Sequence, residues 1–232
     1  MMRLYRFILV GWVLVVGLMI VPLHAEETNV DAATKAEPAA ELLDLDLAFD
    51  LAAYGEREGD PLALILAVRI IKQTPTQLAE DLQKEEGEPI DAAELESDRD
   101  ARIDQLLAQA RELARDQDDI LELITDVEQL ATRRVVGVAG GSYMTMDQVL
   151  GNHTDIWRIT FQGGVSAGVI LEGNGNTDLD LYVFDGNGNL ICSSLSYTDR
   201  ESCYWTPLWT GVFQIEVVNL GPISNRYIIH FM

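Results

Sequence analysis

Hydrophobic residues occupy every second position along much of the C-terminal half of the chain. The clearest stretch runs from Thr177 to Leu190, reads TDLDLYVFDGNGNL and places aliphatic residues at 179, 181 and 183. This alternation predicts a β-strand with one buried face, because successive side chains of a strand point to opposite sides of the sheet. The Asp-Gly-Asn-Gly-Asn run that follows favours positive φ and predicts a tight turn into a second strand at 190–193.

Period-two segments and Gly- or Asn-rich turns recur from position 135 to the C-terminus and predict eight short strands. Their predicted bounds are 135–139, 155–161, 165–171, 178–185, 190–193, 201–206, 212–218 and 226–231. Many short strands at this spacing are typical of an antiparallel sandwich or jelly roll. We therefore predict an all-β antiparallel sandwich over residues 135–232.

The preceding region, residues 39–134, has a helical period instead. Leucines at 43, 47 and 51 form a stripe with Tyr54, widened by Leu42, Phe49 and Ala53, which predicts a helix from 39 to 54. Asp60 followed by Pro61 is a typical helix start, and the apolar run 62–71 after it predicts a central helix. The run 74–77 reads as a further helix start, with a glutamine placed for a capping box. Residues 26–38 show no period, so we expect a flexible leader there.

The longest predicted helix covers residues 97–132 and carries apolar residues at heptad spacing. This stripe could form a seam for self-association, or it could cover the smaller helices of its own chain. Its width favours the second interpretation. The predicted fold class is therefore α+β and multidomain, with an acidic helical region followed by the antiparallel sandwich.

Residues 1–25 have the pattern of a secretory signal peptide. Arg3 and Arg6 precede an apolar run that ends at Val21, and Ala25 is followed by the first acidic residue, Glu26. The alternative is an uncleaved membrane anchor, but the apolar run is shorter than the about 20 residues that a membrane span needs. We therefore expect cleavage after Ala25 and a periplasmic or secreted protein that keeps no membrane segment.

The chain carries 16 Lys and Arg residues against 38 Asp and Glu residues, a formal net charge of −22. Such a charge repels the phosphates of nucleic acids and anionic lipid surfaces. Nucleic acids are therefore excluded as partners, and we expect the acids of the helical region to form a solvated surface.

Cys192 and Cys203 are the two cysteines of the chain, and both lie in the predicted sandwich. In an exported protein, an even pair this close predicts a disulfide, which stabilises by about 2–3 kcal/mol in the chain-entropy model. The alternative is a pair of buried thiols in neighbouring strands.

Five segments of the C-terminal third carry a resemblance to a known family. They read, in order, TDIWRITF, TDLDLYVFDGNGNLI, ESCYWTP, TGVFQIEVVNLG and NRYIIHF. Their order and character resemble the bacterial pre-peptidase C-terminal domain over residues 152–232. The resemblance implies an exported β-sandwich module of the kind found at the tail of secreted proteases, and also on proteins that have no protease. The helical region lies outside the resemblance, and no peptidase accompanies the module here.

The sequence contains no HExxH zinc helix. Its GxSxG pattern at 164–168 falls at the start of a predicted strand, not on the strand-to-helix turn of a nucleophile elbow. His24 leaves with the signal peptide, while His153 and His230 fall at or within predicted strands, where a histidine is more often structural than catalytic. We therefore predict that the protein is not an enzyme.

Asp178, Asp180, Asp185 and Asn187 form a candidate metal site. The first two lie two residues apart on one strand, so they share a face, and the other two lie in the following turn. Clustered oxygen ligands suit Ca²⁺, and the resembled family includes calcium-associated members. The alternative is turn chemistry, in which Asp178 caps the preceding loop and Asp185 organises the turn. No other cofactor is expected.

Tyr182 and Trp209 are the candidate ligand-binding aromatics, because aromatic side chains often anchor ligands at exposed surfaces. The alternative for the aromatic residues as a group is core packing. Core packing is favoured for Trp157 and Trp205, which lie inside predicted strands.

These observations predict an exported, non-catalytic accessory or binding module that acts on an envelope protein or a polysaccharide. The alternative function is a calcium-dependent or chaperone-like accessory to a separately encoded secreted hydrolase. A third interpretation is self-assembly through the predicted helix 97–132.

Overall fold

A computed structural model of the chain describes residues 27–30, 38–79, 82–85, 92–132 and 142–232. The predicted signal peptide, residues 1–25, lies outside the described residues, and so does the predicted strand at 135–139. Within the described ranges, no helix combines the length and the apolar character that crossing a membrane requires.

Four helices form the N-terminal part: α1 (Ala40–Glu58), α2 (Pro61–Gln73), α3 (Ala92–Ala114) and α4 (Asp118–Gln129). α1 ends at Gly59, whose φ of 69° lies in the left-handed region that glycine adopts without strain. α2 starts as the sequence predicts, because Oδ1 of Asp60 accepts hydrogen bonds from the backbone N–H groups of Leu62 (2.9 Å) and Ala63 (3.3 Å).

The predicted single helix over residues 97–132 is wrong, because the chain turns between α3 and α4. This break lets α4 fold back, so that Ile120, Ile124 and Val127 join the core formed with α1 and α2. Nζ of buried Lys72 donates to the backbone carbonyls of Val127 (2.9 Å) and Glu128 (3.0 Å), which satisfies the last turn of α4. The apolar stripe therefore packs within its own chain, as the second interpretation predicts.

The described residues contain ten strands in two five-stranded sheets. The first sheet has the order β1 (Thr76–Leu78), β3 (Ser142–Val149), β10 (Asn225–Phe231), β5 (Ala167–Gly173) and β8 (Arg200–Trp205). The second has the order β2 (Gln83–Lys84), β4 (Thr154–Phe161), β9 (Gly211–Asn219), β6 (Leu179–Phe184) and β7 (Leu190–Ser194). All pairs are antiparallel except β1 with β3. The predicted fold class, helices followed by an antiparallel sandwich, is confirmed.

The two sheets enclose a core of alternate aliphatic and aromatic side chains. Leu179, Leu181 and Val183 of β6 are fully buried, as the period-two pattern predicts. Trp157 and Trp205 also lie in this core, and the ring of Trp205 meets that of Phe161 edge-on at 4.8 Å. Core packing is therefore the role of these two tryptophans.

The helices form a third layer on the outer face of the first sheet. Ile170 of β5 belongs to the same buried cluster as the apolar faces of α1 to α4. Phe49 of α1 packs against His230 of β10 with ring centroids 5.4 Å apart. The hydroxyl of Tyr204 on β8 donates to Asp46 of α1 at 3.0 Å. The helical region and the sandwich are thus joined by apolar and polar contacts.

Three short or unexpected strands correct the predicted domain boundary at position 134/135. β1 and β2 come from the helical region and extend the two sheets, so the predicted helix start at 74–77 is wrong. β3 occupies residues for which the sequence predicted no strand. The sandwich therefore draws strands from both sides of the predicted boundary.

Residues 27–30 of the predicted flexible leader lie against the sandwich instead. Asn29 is 2% exposed, and its side chain exchanges two hydrogen bonds with the backbone of Trp209, at 3.0 and 2.9 Å. Val30 forms an isolated antiparallel bridge with Pro207. This part of the predicted leader is therefore bound to the loop between β8 and β9, and residues 31–37 lie outside the described residues.

The predicted disulfide between Cys192 and Cys203 is confirmed, with Cα atoms 5.9 Å apart. Cys192 lies on β7 and Cys203 on β8, which are edge strands of the second and first sheets. The bond therefore joins the two sheets along one edge of the sandwich.

Candidate functional site

A groove of about 850 Å³ opens where the helical layer meets one end of the first sheet. Its lining comes from α1, α3, β3 and β10, together with the end of β5, the start of β8 and the loops beside them. A volume of this size lies in the range of ligand pockets, about 300–1,000 Å³. We take this groove as the candidate functional site.

One wall of the groove is the outer face of α1. Leu47 and Tyr54 line it and are 50% and 46% exposed, and Leu43, one turn before Leu47, is 46% exposed. The buried face of α1 consists of Leu42, Leu45, Ala48, Phe49 and Ala52. The predicted apolar stripe is therefore divided, with Leu42 and Phe49 buried and its leucines at 43 and 47 exposed. Since α1 is apolar on two faces, burying one against the sheet leaves the other on the surface.

Arginines and carboxylates line the groove in equal number. The arginines are Arg57, Arg102, Arg200 and Arg226, and the acids are Asp50, Glu56, Glu172 and Asp199. This local balance differs from the chain as a whole, whose formal net charge is −22.

Several of these groups already form ion pairs. Arg102 of α3 donates to both carboxylate oxygens of Glu56, at 2.8 and 3.2 Å. Arg200 donates to the carbonyl of Phe49 at 2.6 Å and pairs with the carboxylate of Asp50. The guanidinium of Arg57 lies 5.6 Å from the centroid of the Tyr54 ring. The polar side of the groove is therefore held in place by contacts among the helices and, through Arg200, by contacts with the sandwich.

Glu172, at the end of β5, is a groove carboxyl with perturbed acidity. Burial raises the pKa of its carboxyl to about 7, against the lowering effect of Arg102, and the charges of Asp199 and Glu56 add to the rise. Its Oε1 lies 3.7 Å from Nη2 of Arg102. The carboxyl of Glu172 therefore changes its charge near neutral pH.

A glycine-containing loop after β5 brings Asp199 to the groove. The backbone N–H of Gly173 donates to the carbonyl of Asp199 at 2.8 Å. A Cβ on Gly173 would lie 2.4 Å from a carboxylate oxygen of Asp199, so a larger residue here would displace the Asp199 side chain. The N–H of Asn174 donates to Oδ1 of Asn225 at 3.0 Å. Close approach of the loop and strand β10 thus shapes this end of the groove.

The four residues predicted to bind calcium are not brought together. Asp178 and Asp180 lie at the start of β6, while Asp185 and Asn187 lie in the turn beyond its far end. A six-residue strand separates the two pairs by roughly 15–20 Å. Within the described ranges, no group of three or more His, Cys, Asp or Glu residues could hold a metal ion. The prediction of one site from these four residues is therefore wrong.

Asp185 has the structural role that the alternative interpretation gives it. Oδ1 accepts from the N–H groups of Asn187 (3.0 Å) and Asn189 (2.9 Å), and Oδ2 accepts from Nδ2 of Asn189 (3.0 Å) and the N–H of Asn29 (2.9 Å). Burial alone would raise the pKa of Asp185, but these hydrogen bonds outweigh it and lower the pKa. Its two oxygens are thus engaged by four donors.

Asp180 is buried, and its pKa is raised by that burial and by the nearby charges of Asp178 and Glu201. Asp178 and Asp180 therefore lie close enough to interact, as expected of two residues on one face of a strand. Neither residue lines the groove.

Tyr182 and Trp209 lie apart from the groove and at different places in the sandwich. Tyr182 is half-buried on the outer face of the second sheet, stacked on Phe184 with ring centroids 6.4 Å apart. Trp209 is 40% exposed in the loop between β8 and β9, where its backbone is bound by Asn29. Their predicted role in ligand binding stays a prediction.

The groove could not be predicted from the sequence, because its residues come from six strands and helices that are distant in sequence. One signal was present: α1 carries more apolar residues than a single buried face needs. Nothing in the sequence indicates that Glu172 and Arg102, from different layers, face each other.

Comparison with known proteins gives no match to a protein family and none to a curated protein sequence. Among solved structures, similarity extends to a pre-peptidase C-terminal domain of a collagenase from Bacillus anthracis. That comparison has a TM-score of 0.34 and 10% identity, and covers 38% of this chain and 87% of the other.

Two further structures are similar over a comparable part of this chain. One is PliG of Aeromonas hydrophila, a periplasmic inhibitor of g-type lysozyme, with a TM-score of 0.30, 16% identity, and coverage of 41% of this chain and 90% of the other. The other is TmCBM61, determined in complex with β-1,4-galactotriose, with a TM-score of 0.26, 14% identity, and coverage of 40% and 72%. At these TM-scores the similarities carry no argument about function, and membership of the pre-peptidase C-terminal family stays a prediction.

Proposed function

We propose that this chain is an exported, non-catalytic binding module that captures a basic exported protein in the groove between α1 and the first sheet. The observation that carries the proposal is the apolar outer face of α1, which is exposed where it borders a groove of about 850 Å³. Leu47 and Tyr54 bind an apolar side chain of the partner, and the charged residues of the groove bind the polar groups around that side chain.

The exposed apolar residues of α1 favour a protein partner over a polysaccharide. Leucine side chains offer no stacking face for a sugar ring, and the Tyr54 ring has the guanidinium of Arg57 near it. Protein interfaces combine an apolar centre with tyrosine and arginine residues, and this groove has that composition.

The overall charge indicates the charge of the partner. A chain with a formal net charge of −22 attracts positively charged proteins over distances of about one Debye length and repels acidic ones. The arginine and carboxylate pairs inside the groove then select a complementary arrangement at contact. The expected partner is therefore a protein of net positive charge.

Export is supported by the disulfide between Cys192 and Cys203, since such bonds persist mainly in oxidising compartments. A periplasmic or secreted location accords with the predicted signal peptide. The accessory function for a secreted hydrolase is one case of this proposal, in which the hydrolase is the basic partner.

The proposal is tested by fractionating the exported proteins of the source cells and measuring which of them the purified chain retains. Leu47→Asp places a charge on the groove wall, and Leu66→Asp is its matched control, because Leu66 is 45% exposed on α2 and does not line the groove. We expect one basic protein to be retained by the wild type and by Leu66→Asp, and at least tenfold less by Leu47→Asp. Equal retention by all three proteins, or retention only on insoluble polysaccharide, contradicts the proposal.

A second function, acid–base catalysis in the same groove, is favoured by one observation. The carboxyl of Glu172 has a pKa of about 7, near the operating range of a general acid. The test is hydrolysis of a panel of chromogenic glycosides by the wild type and by Glu172→Gln. Turnover that Glu172→Gln abolishes establishes catalysis, whereas the absence of turnover on every substrate leaves the binding function as the one supported.

A further inference from the structure

A small buried chamber lies beneath the groove, between the helical layer and the first sheet. Its volume is about 20 Å³. Residues of α1, α3 and β10 form most of its walls, and α2, β1 and β5 contribute one residue each. A chamber of this size holds one water molecule or one monatomic ion. It shares Phe49, Arg102, Glu172 and Ile228 with the groove above it.

Arg99 of α3 points its charge into this chamber. The residue is 8% exposed, and its Nε and Nη2 atoms have no hydrogen-bond partner within the described part of the chain. Its Nη2 lies 3.6 Å from Oδ1 of Asp100, but the side chain of Asp100 is 56% exposed. A buried guanidinium with two unpaired donor atoms is costly, because it loses its hydration without regaining equivalent bonds.

His230 of β10 lines the chamber opposite the helices and also lacks a partner. The residue is 4% exposed, and its Nδ1 has no hydrogen-bond partner among the described residues. Burial, together with the charge of Arg99, lowers the pKa of His230 to about 3. The imidazole is therefore neutral at physiological pH and offers one N–H group as a donor.

The remaining charged groups of the chamber are already paired. Arg102 binds both oxygens of Glu56, at 2.8 and 3.2 Å, and its Nη2 lies 3.7 Å from Oε1 of Glu172. Among the side chains that the structure describes, the positive charge of Arg99 thus has an ion pair only with the exposed carboxylate of Asp100. A water molecule would accept its hydrogen bonds but would leave that charge uncompensated.

We propose that the chamber binds one monatomic halide ion, with Arg99 as its charge partner and His230 as a second hydrogen-bond donor. The volume excludes carboxylate- or phosphate-bearing ligands, and chloride is the abundant halide outside the cytoplasm. The ion stabilises the contact between α3 and β10 and so fixes the floor of the groove. This proposal does not depend on the function proposed for the groove.

The test is thermal unfolding of the full mature chain in sodium chloride and in sodium gluconate at equal ionic strength. A ligand that binds the folded state stabilises it according to its concentration relative to Kd. We expect the Tm of the wild type to rise by about 3–5 °C in chloride relative to gluconate. Arg99→Met is expected to show no difference between the two salts, because it removes the charge that holds the ion.

Arg115→Met is the matched control, since the side chain of Arg115 is 74% exposed and pairs with Glu112 on the surface of the same helical region. It should keep the chloride effect of the wild type. Equal Tm values for the wild type in both salts, or a chloride effect that Arg99→Met retains, overturns the proposal.

Crystals of the wild type grown in sodium bromide give a readout that does not depend on a variant. An anomalous peak between Arg99 and His230 supports the proposal. A chamber that contains water, with no anomalous peak, contradicts it.

Discussion

The main-chain N–H of Asn29 donates a hydrogen bond of 2.9 Å to Oδ2 of Asp185, which lies 156 residues further along the chain. The same carboxylate organises the turn between β6 and β7 by accepting from Asn187 and Asn189. One aspartate thus holds both a local turn and the segment that precedes the helices. Its four donors explain why the pKa of Asp185 is lowered although the residue is buried.

Replacing Asp185 with Ala should lower the free energy of unfolding by about 2–4 kcal/mol, because four N–H groups lose their acceptor. Urea unfolding at neutral pH measures this loss. Asp126→Ala, at an exposed position of α4, is the control and should change stability by less than about 0.5 kcal/mol. A loss as small as that of the control would show that the Asn29 contact does not form in solution.

The contribution of Asp185 to stability should depend on pH. Since the folded-state pKa of Asp185 is below its ordinary value of 3.8, its contribution to stability is present above that value and is lost as the pH falls through the folded pKa. The difference in unfolding free energy between the wild type and Asp185→Ala should therefore shrink below about pH 4. A constant difference from pH 7 to pH 2.5 contradicts this account.

The contribution of Glu172 to stability should have the opposite pH dependence. Its pKa rises from 4.5 in the unfolded chain to about 7 in the folded protein, so the folded state binds the proton more tightly. Stability relative to Glu172→Gln should therefore fall by about 1–3 kcal/mol between about pH 4.5 and pH 7, and stay constant above that range. Chemical unfolding of the wild type and of Glu172→Gln at several pH values measures this fall in stability.

The control for Glu172 is Glu128→Gln, because the side chain of Glu128 is 39% exposed in a surface pair with Arg111. The difference in unfolding free energy between Glu128→Gln and the wild type should vary little over the same pH range. If Glu172→Gln behaves like this control, the carboxyl of Glu172 is not desolvated in the groove.

The two edges of the sandwich are closed in different ways. On one edge, Cys192 and Cys203 join β7 to β8 across a sequence separation of 11 residues. Replacing both cysteines with Ser should lower the free energy of unfolding by about 2–3 kcal/mol, because the unfolded chain gains freedom. Urea unfolding of the variant and of the wild type, with and without reductant, checks the value. If reductant destabilises the double variant as much as the wild type, the disulfide is not the cause.

On the other edge, Lys84 of β2 joins the two sheets. Its Nζ lies 2.7 Å from Oδ2 of Asp147 on β3 and 3.0 Å from Oδ2 of Asp155 on β4, and all three side chains are almost fully buried. Lys84→Met leaves two buried carboxylates without their cation and should cost about 3–5 kcal/mol. Arg158→Gln removes an exposed pair with Glu85 and should cost less than about 1 kcal/mol. If the two variants lost similar amounts of unfolding free energy, Lys84 would not be part of a buried ion-pair network.

This network shows why part of the sandwich could not be predicted from the sequence. Seven of the eight predicted strands lie in the structure within two residues of their predicted bounds, because each has a clear alternation between two turns. Strand β3 lacks that pattern, since Asp147 is buried in it. The cation that compensates this burial is Lys84, which lies 63 residues away in the sequence.

The helices show a related limit. The period of α1 is visible in the sequence, but apolar residues occur on two of its faces, so the period alone does not identify the buried one. Contact with β5 and β10 decides between them. The break between α3 and α4 likewise depends on packing against α2 rather than on a Gly or Pro signal. The groove depends on which face of α1 is buried and on where α3 ends. Because neither is visible in the sequence, the predicted site was the strand and turn around Asp178 and Asp185 instead.

The most direct test of the binding function is site-specific photo-cross-linking in the exported compartment of the source cells. A photoreactive amino acid at position 47 lies on the groove wall, and one at position 66 has similar exposure on α2 outside it. The account predicts one cross-linked adduct with a basic protein from position 47, none from position 66, and loss of the adduct when Tyr54→Ala is added. Adducts of equal yield from both positions, or none from position 47, would contradict the claim that the groove holds the partner.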